Sequence, residues 1–137
     1  MYFFFSVQGV IMPQKVLIVD DEPSIILPLQ FLMEQNGYIV TIAHNGEEAI
    51  KEITEFKPDL ILLDIMLPVL DGFEICQILK ENPKWKNIKI ILVTAMGRDV
   101  NIAKGLALGA DAYITKPFAN SDIVQKVNEL LNISNET

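Results

Sequence analysis

Five short apolar runs recur along the chain and divide it into similar units. In the first run, residues 16–19 are all apolar, and Asp20 and Asp21 follow directly. Such an unbroken run is typical of a strand that is buried on both faces of a parallel sheet. The predicted strands are residues 16–19, 38–42, 60–63, 88–93 and 112–115.

A helical pattern follows each of these runs. In the first pattern, apolar residues recur at helical spacing from Ile25 to Met33, and Gly37 ends it. Ser24 is the predicted N-cap of this helix. Pro28 lies past the first turn and removes a backbone hydrogen bond, so we expect a kink or a later start. The other helices are predicted at residues 46–56 and at about 71–81, 98–108 and 120–131.

The alternation of five strands with five helices predicts an α/β fold. Neighbouring parallel strands need a crossover helix that covers the sheet, and helices on both faces give a three-layer sandwich. A chain of 137 residues, half of them hydrophobic, is long enough to bury one core. Because no repeat or Ser/Gly-rich linker interrupts the pattern, we expect one domain over residues 15–132.

The two ends of the chain lack this pattern. An apolar opening begins at Tyr2, but no Lys or Arg precedes Lys15, and the stretch is shorter than a bilayer span. The sequence therefore supports neither an export signal nor a membrane anchor. We interpret residues 1–14 as an N-terminal extension, either a start placed too early or a surface tail, and residues 133–137 as a polar C-terminal tail.

Composition narrows the classes of function. Eighteen acidic residues against eleven basic ones give a formal charge of −7, which disfavours direct binding to nucleic acid. The single cysteine, Cys76, can form neither an internal disulfide nor a thiolate metal cluster. We therefore expect a cytoplasmic protein that binds neither DNA nor a membrane directly.

Polar residues end four of the predicted strands. Asp20 and Asp21 follow the first strand, Asp64 the third, Thr94 the fourth and Lys116 the fifth. Open α/β sheets place their sites at the carboxyl ends of strands, so these side chains should converge. Clustered carboxylates repel one another, which implies a hard cation such as Mg²⁺. A carboxylate nucleophile beside a hydroxyl and an ammonium group is suited to phosphoryl transfer.

Four motifs follow the predicted strands: Val19-Asp20-Asp21-Glu22, Leu63-Asp64-Ile65-Met66-Leu67-Pro68 followed by Asp71-Gly72, Val93-Thr94-Ala95, and Lys116-Pro117-Phe118. Together they resemble the receiver domain of two-component response regulators. The resemblance covers residues 15 to about 132, and the motifs follow the order and spacing of that family. It implies a flavodoxin-like fold whose five-stranded parallel sheet has the order 2-1-3-4-5.

The resemblance also implies a role for each residue of the cluster. Asp64 is the expected phosphoacceptor, and Lys116 and Thr94 are expected to hold the phosphoryl group. Mg²⁺ (or Mn²⁺) is expected to bind four groups. These are the carboxylates of Asp21 and Asp64, the backbone carbonyl of Met66 and, through a water molecule, Asp20.

Two further positions bear on the switch that the resemblance implies. Tyr113, three residues before Lys116, takes the position of the family's switch aromatic and is expected to act with Thr94. Val69 departs from the family pattern, because many relatives carry glycine or a polar residue in that loop. The shape of the loop after Asp64 is therefore open at this point.

Several residues have simpler interpretations. His44 stands alone beside Asn45 and Gly46, so we expect an exposed residue and not a phosphodonor or ligand. Met66, Met96 and Cys76 are expected to be packing residues.

The resemblance implies a response regulator that accepts a phosphoryl group on Asp64 from a sensor histidine kinase or a phosphotransfer protein. Because only a short polar tail follows the receiver pattern in this sequence, we expect a single-domain regulator. It would catalyse its own Mg-dependent phosphorylation and dephosphorylation without being a conventional enzyme. Output is expected through protein contact, on the face formed by the last two helices and the strand between them, or through onward phosphotransfer. The alternatives are a receiver excised from a longer regulator and a scaffold that is not phosphorylated. An aspartate-nucleophile phosphatase is disfavoured because Met66 stands where a second acid is needed.

Overall fold

The computed structural model describes residues 12–132 and contains one five-stranded parallel sheet. Numbered along the chain, its strands have the order 2-1-3-4-5, which confirms the expected order. Most of the predicted N-terminal extension and the whole predicted C-terminal tail lie outside the described residues. The strands are β1 (Lys15–Val19), β2 (Ile39–Ala43), β3 (Leu60–Leu63), β4 (Lys89–Thr94) and β5 (Ala112–Thr115).

Five helices cover the two faces of this sheet. Successive residues of a strand point to opposite faces, so β1 contributes Leu17 to one apolar cluster and Ile18 to the other. The first cluster lies beneath the second, third and fourth helices along the chain, and the second cluster lies beneath the first and fifth. The helices are α1 (Pro23–Gln35), α2 (Gly46–Glu55), α3 (Gly72–Glu81), α4 (Asp99–Ala107) and α5 (Asn120–Asn132).

The start of α1 differs from the sequence prediction. Ser24 was the expected N-cap, but Glu22 occupies that position and Ser24 lies inside the helix. Pro23 explains the difference, because the first helical position tolerates a residue without an N–H. Pro28 does not delay the helix, which runs continuously from Pro23. Gly37, with φ of +89°, follows the helix as predicted.

Two strands begin one residue later than predicted. Tyr38 lies in the turn that leaves α1, where its backbone N–H donates to the Met33 carbonyl, and β2 starts at the next residue. Similarly, the Ile88 N–H closes a turn on Trp85, and β4 starts one residue later and extends to Thr94. Because β4 extends to Thr94, this residue lies at the carboxyl edge of the sheet. No helix within residues 12–132 is long and apolar enough to cross a bilayer.

Candidate functional site

Two buried aspartates lie at the carboxyl ends of neighbouring strands. The Asp20 N–H donates to the Ala43 carbonyl, and the Asp64 N–H donates to the Val19 carbonyl, so the sheet ladder continues into both residues. Asp20 is 3% exposed and Asp64 is 4% exposed, whereas Asp21 is exposed. The adjacency of β1 and β3 in the sheet thus brings these carboxylates together.

The three aspartates form a compact set of oxygen ligands. One carboxylate oxygen each from Asp20, Asp21 and Asp64 lies within 4.8 Å of the other two. Backbone N–H groups orient two of them, because the Glu22 N–H donates to Asp20 Oδ1 at 2.9 Å and the Met66 N–H donates to Asp64 Oδ1 at 3.1 Å. A few carboxylates at an open sheet edge are the donor set that Mg²⁺ prefers. The cluster therefore fits a divalent cation.

Lys116 supplies the positive charge within this cluster. Its Nζ lies 2.8 Å from Asp20 Oδ2, 3.1 Å from Glu22 Oε1 and 3.2 Å from Asp64 Oδ2. The backbone places it there, because the Lys116 N–H donates to the Thr94 carbonyl at 2.8 Å directly after β5. One ammonium thus contacts three acids, and its side chain is only 10% exposed.

Burial and these ion pairs shift the pKa values of Asp20 and Lys116. Burial raises the pKa of Asp20, although the hydrogen bonds from Lys116 and from the Glu22 N–H oppose the rise. Burial alone would lower the pKa of the Lys116 ammonium, but its hydrogen bonds to Asp20 and Glu22 and the charge of Asp64 outweigh burial and raise it. Lys116 is therefore a fixed cation beside Asp64 at neutral pH.

Thr94 and Tyr113 lie on the side of the cluster that faces α4. Thr94 ends β4 and is completely buried, and its Oγ1 accepts a long 3.5 Å hydrogen bond from the Met96 N–H. The Tyr113 hydroxyl donates to the Met96 carbonyl, which ties β5 to the loop after β4. Burial and the nearby charge of Asp64 raise the pKa of Tyr113. The loop that follows Thr94 is thus held by both residues.

The loop after Asp64 depends on two special backbone positions. Gly72 lies against it, since a Cβ atom on Gly72 would fall 2.5 Å from the Asp64 carbonyl oxygen. Only glycine allows this close approach. Val69, the residue that departs from the family pattern, is 95% exposed and has a φ of +68°. A β-branched residue is strained in this left-handed conformation.

The structure brings together most residues that the sequence singled out. Asp20, Asp21, Asp64 and Lys116 converge directly. Thr94 adjoins them, because its carbonyl accepts from the Lys116 N–H, and Tyr113 is close enough for the charge of Asp64 to act on it.

Outside the cluster, His44 is exposed and pairs with Glu48, as expected for a residue outside the site. Cys76 is fully buried, also as expected. Met66 is not a packing residue, because it is 59% exposed in the loop beside Asp64, whereas Met96 packs at the edge of the core.

Sequence reasoning missed the role of Glu22 as an ion-pair partner of Lys116. Glu22 appeared only as the fourth residue of a motif, and its position as the N-cap of α1 is what directs it toward Lys116. The third consecutive acid after β1 was the available signal.

The peptide bond between Lys116 and Pro117 is cis.

Comparisons with known proteins agree on one family. A family model described as "Response regulator receiver domain" matches residues 16–128. The chain is 44% identical over 123 residues to the alkaline phosphatase synthesis transcriptional regulatory protein of Bacillus subtilis, a match that covers 90% of the chain and 50% of that protein. The chain thus spans about half the length of this curated relative.

Solved structures show the same fold. A two-component response regulator from Clostridium difficile superposes with a TM-score of 0.83 at 31% identity, over 90% of this chain and 99% of that one. The chemotaxis protein CheY4 of Vibrio cholerae superposes with a TM-score of 0.81 at 28% identity, over 88% of this chain and 100% of that one.

Proposed function

The chain belongs to the family of response regulator receiver domains, and from this premise we propose that Asp64 accepts a phosphoryl group. The donor would be a sensor histidine kinase or a phosphotransfer protein. The observation that carries the proposal is the contact between Lys116 Nζ and Asp64 Oδ2 within a cluster of three aspartates. This contact supplies a carboxylate nucleophile and a fixed cation at the same point.

The transfer uses the groups that already surround Asp64. A carboxylate oxygen of Asp64 attacks the phosphorus atom of the donor, the bond from phosphorus to the donor breaks, and the donor keeps that electron pair. The product is an acyl phosphate. Lys116 stabilises the phosphoryl oxygens by charge, and Thr94 offers its hydroxyl as a hydrogen-bond donor. Later hydrolysis of the acyl phosphate restores the Asp64 carboxylate.

We assign the divalent cation to the same cluster. Asp21, Asp64 and the Met66 carbonyl would hold Mg²⁺ or Mn²⁺, with Asp20 acting through a water molecule. The bound cation supplies charge neutralisation for an incoming anionic group. The fit rests on the three carboxylate oxygens within 4.8 Å of one another. The location that goes with this function is the cytoplasm, and the single cysteine, which permits no internal disulfide, agrees with it.

Output is proposed through protein contact at the α4-β5-α5 face or through onward phosphotransfer. Helix α4 carries two exposed large apolar side chains, Val100 at 64% and Leu106 at 47%. Tyr113 connects this face to the phosphorylation site through its hydrogen bond to Met96. The proposal concerns the receiver domain, whether it acts as a single-domain regulator or within a chain as long as its Bacillus subtilis relative.

Intact mass after incubation with Mg²⁺ and acetyl phosphate tests phosphoryl acceptance. The wild type is expected to gain one phosphoryl group, and Asp64→Asn none. Asp122→Asn, which changes an acid in the first turn of α5, is the control and should be labelled like the wild type. Full labelling of Asp64→Asn, or of the wild type in excess chelator, would contradict the proposal. A folded wild type that is never labelled would instead be a scaffold receiver.

A further inference from the structure

A cavity of about 410 Å³ opens at the amino edge of the sheet, at the opposite strand ends from the aspartate cluster. This volume lies within the range of small-molecule sites. The cavity lies between the end of α2 and the turn that joins α3 to β4. Its lining residues are Ile53, Thr54, Lys57, Pro58, Lys84, Trp85 and Ile88.

The floor of this cavity is apolar and the charged groups are of one sign. Ile53 is fully buried, and Trp85 and Ile88 pack against the core while still reaching the cavity. The charged lining residues are two lysines, Lys57 and Lys84, and both are exposed. Among residues 12–132, neither ammonium has an ion-pair or hydrogen-bond partner. Two unpaired cations thus flank an aromatic surface in a protein that carries a net negative charge.

The wall that carries Trp85 is fixed by hydrogen bonds. The backbone N–H of Trp85 donates to the Asn82 carbonyl, and the Asn82 side-chain oxygen accepts from the backbone N–H of Lys84 at 2.8 Å. Lys80 Nζ donates to the Ile88 carbonyl at 3.2 Å and thereby ties the turn to α3. On the other side, α2 ends at Glu55, and Lys57 and Pro58 lie in the segment that follows the helix. The cavity is therefore preformed, which reduces the entropy lost on binding.

We propose that this cavity is a binding site for a small amphipathic anion, a molecule with a planar apolar body and an acidic group. The apolar body would stack on Trp85 above Ile53, and the acidic group would lie between Lys57 and Lys84. A neutral molecule of the same shape would leave both ammonium groups without a counter-charge. The proposal is independent of phosphorylation, because no residue of the aspartate cluster lines this cavity.

The probe for the test is naphthalene-2-sulfonate, with the neutral naphthalene-2-sulfonamide as its matched counterpart. Trp85 is the only tryptophan of the chain, so its indole N–H signal in a proton–nitrogen correlation spectrum reports on the cavity directly. We expect a saturable shift of this signal, together with shifts at Thr54 and Lys57, and weaker binding of the neutral compound. Higher ionic strength should also weaken binding of the sulfonate.

The lysines are tested with charge-matched variants. The Lys57→Gln, Lys84→Gln double variant should bind the sulfonate about tenfold more weakly, as expected when two partly exposed ion pairs are lost together. Arginine at both positions should restore binding. A Lys104→Gln, Lys126→Gln double variant loses the same charge on α4 and α5 and should bind like the wild type.

Three results would overturn the proposal. The first is an absence of saturable binding by the folded wild type up to millimolar sulfonate. The second is equal affinity for the sulfonate and the sulfonamide, because the lysines would then contribute nothing. The third is a set of shifted signals that excludes Trp85. Unfolding of the glutamine variant would be recognised from the correlation spectrum, and the comparison of the sulfonate with the sulfonamide on the wild type then tests the role of charge.

Discussion

The Lys116 ammonium lies 3.2 Å from a carboxylate oxygen of Asp64, although 52 positions separate the two residues in the chain. The sheet creates this contact, because β5 and β3 both flank β4 and end at the same edge. The same ammonium also contacts Asp20 and Glu22. The Lys116 ammonium thus contacts three acids of the site, so its substitution tests whether this positive charge is needed for phosphoryl transfer.

We predict that Lys116→Gln slows phosphorylation by acetyl phosphate by roughly 10²-fold, because the charge that stabilises the transferring oxygens is lost. The rate is measured from intact mass against time at one Mg²⁺ concentration. Lys126→Gln removes an exposed ammonium that is paired to Glu129 on α5 and should leave the rate unchanged. A Lys116→Gln rate equal to that of the wild type would remove Lys116 from the mechanism.

A second prediction concerns the link between Thr94 and Tyr113. A phosphoryl group on Asp64 would draw the Thr94 hydroxyl toward it and disturb the loop whose Met96 carbonyl accepts from Tyr113. We expect that beryllofluoride, a phosphoryl mimic, changes amide hydrogen exchange over residues 98–113. Tyr113→Phe should raise exchange there without the mimic, since the tie to Met96 is lost. Changes confined to α1 and α2 would contradict this prediction.

The elements of the fold could be predicted because the central strands β1, β3 and β4 are buried on both faces and so appear as apolar runs, while the partly exposed edge strands β2 and β5 are still mostly apolar. Residues 60–63 and 112–115 were predicted with the bounds of β3 and β5. The first residue of α1 was harder to predict, because several residues near Pro23 can act as the N-cap of the helix. Ser24 has the better capping side chain, yet Glu22 takes the position because Pro23 fits the first helical position.

The contacts between residues of the site were harder to predict than which residues form the site. The sequence placed Asp20, Asp64 and Lys116 at one sheet edge, since each follows a strand. The third acid after β1 marked Glu22 as a candidate, but its contact with Lys116 depends on the direction in which α1 leaves β1. The exposure of Met66 was missed for a similar reason, since a loop conformation decides whether an apolar side chain faces the core.

The strained loop gives a prediction about stability. Val69 has a φ of +68°, which is an unfavourable backbone conformation for valine. Its side chain is exposed, so burial does not compensate for this cost. We predict that Val69→Gly raises the free energy of unfolding by about 1 kcal/mol, because glycine has no Cβ penalty in this region. Urea denaturation measures the change. Val69→Ala keeps a Cβ and is the matched control, and an equal gain in that variant would show that the backbone conformation is not the cause.

The buried thiol gives a prediction about pH. Burial raises the pKa of Cys76 to about 12, so the unfolded chain releases this proton at a lower pH than the folded chain. Stability should therefore fall as pH rises from about 9 toward 12, by roughly 1.4 kcal/mol per pH unit at most from this group. Cys76→Ala lacks the group, so its stability deficit relative to the wild type should shrink over that range. A constant deficit would contradict the prediction.

The most direct test of the central proposal is the chemical location of the phosphoryl group. Borohydride reduces an aspartyl acyl phosphate to homoserine and releases phosphate, so treatment of the phosphorylated protein marks the acceptor permanently. Peptide mass spectrometry of the wild type is expected to find homoserine at position 64, in samples that contained Mg²⁺ and not in samples with excess chelator. Homoserine at Asp20, Asp21 or Asp71 in place of Asp64, or label that borohydride leaves intact, would contradict Asp64 as the phosphoacceptor.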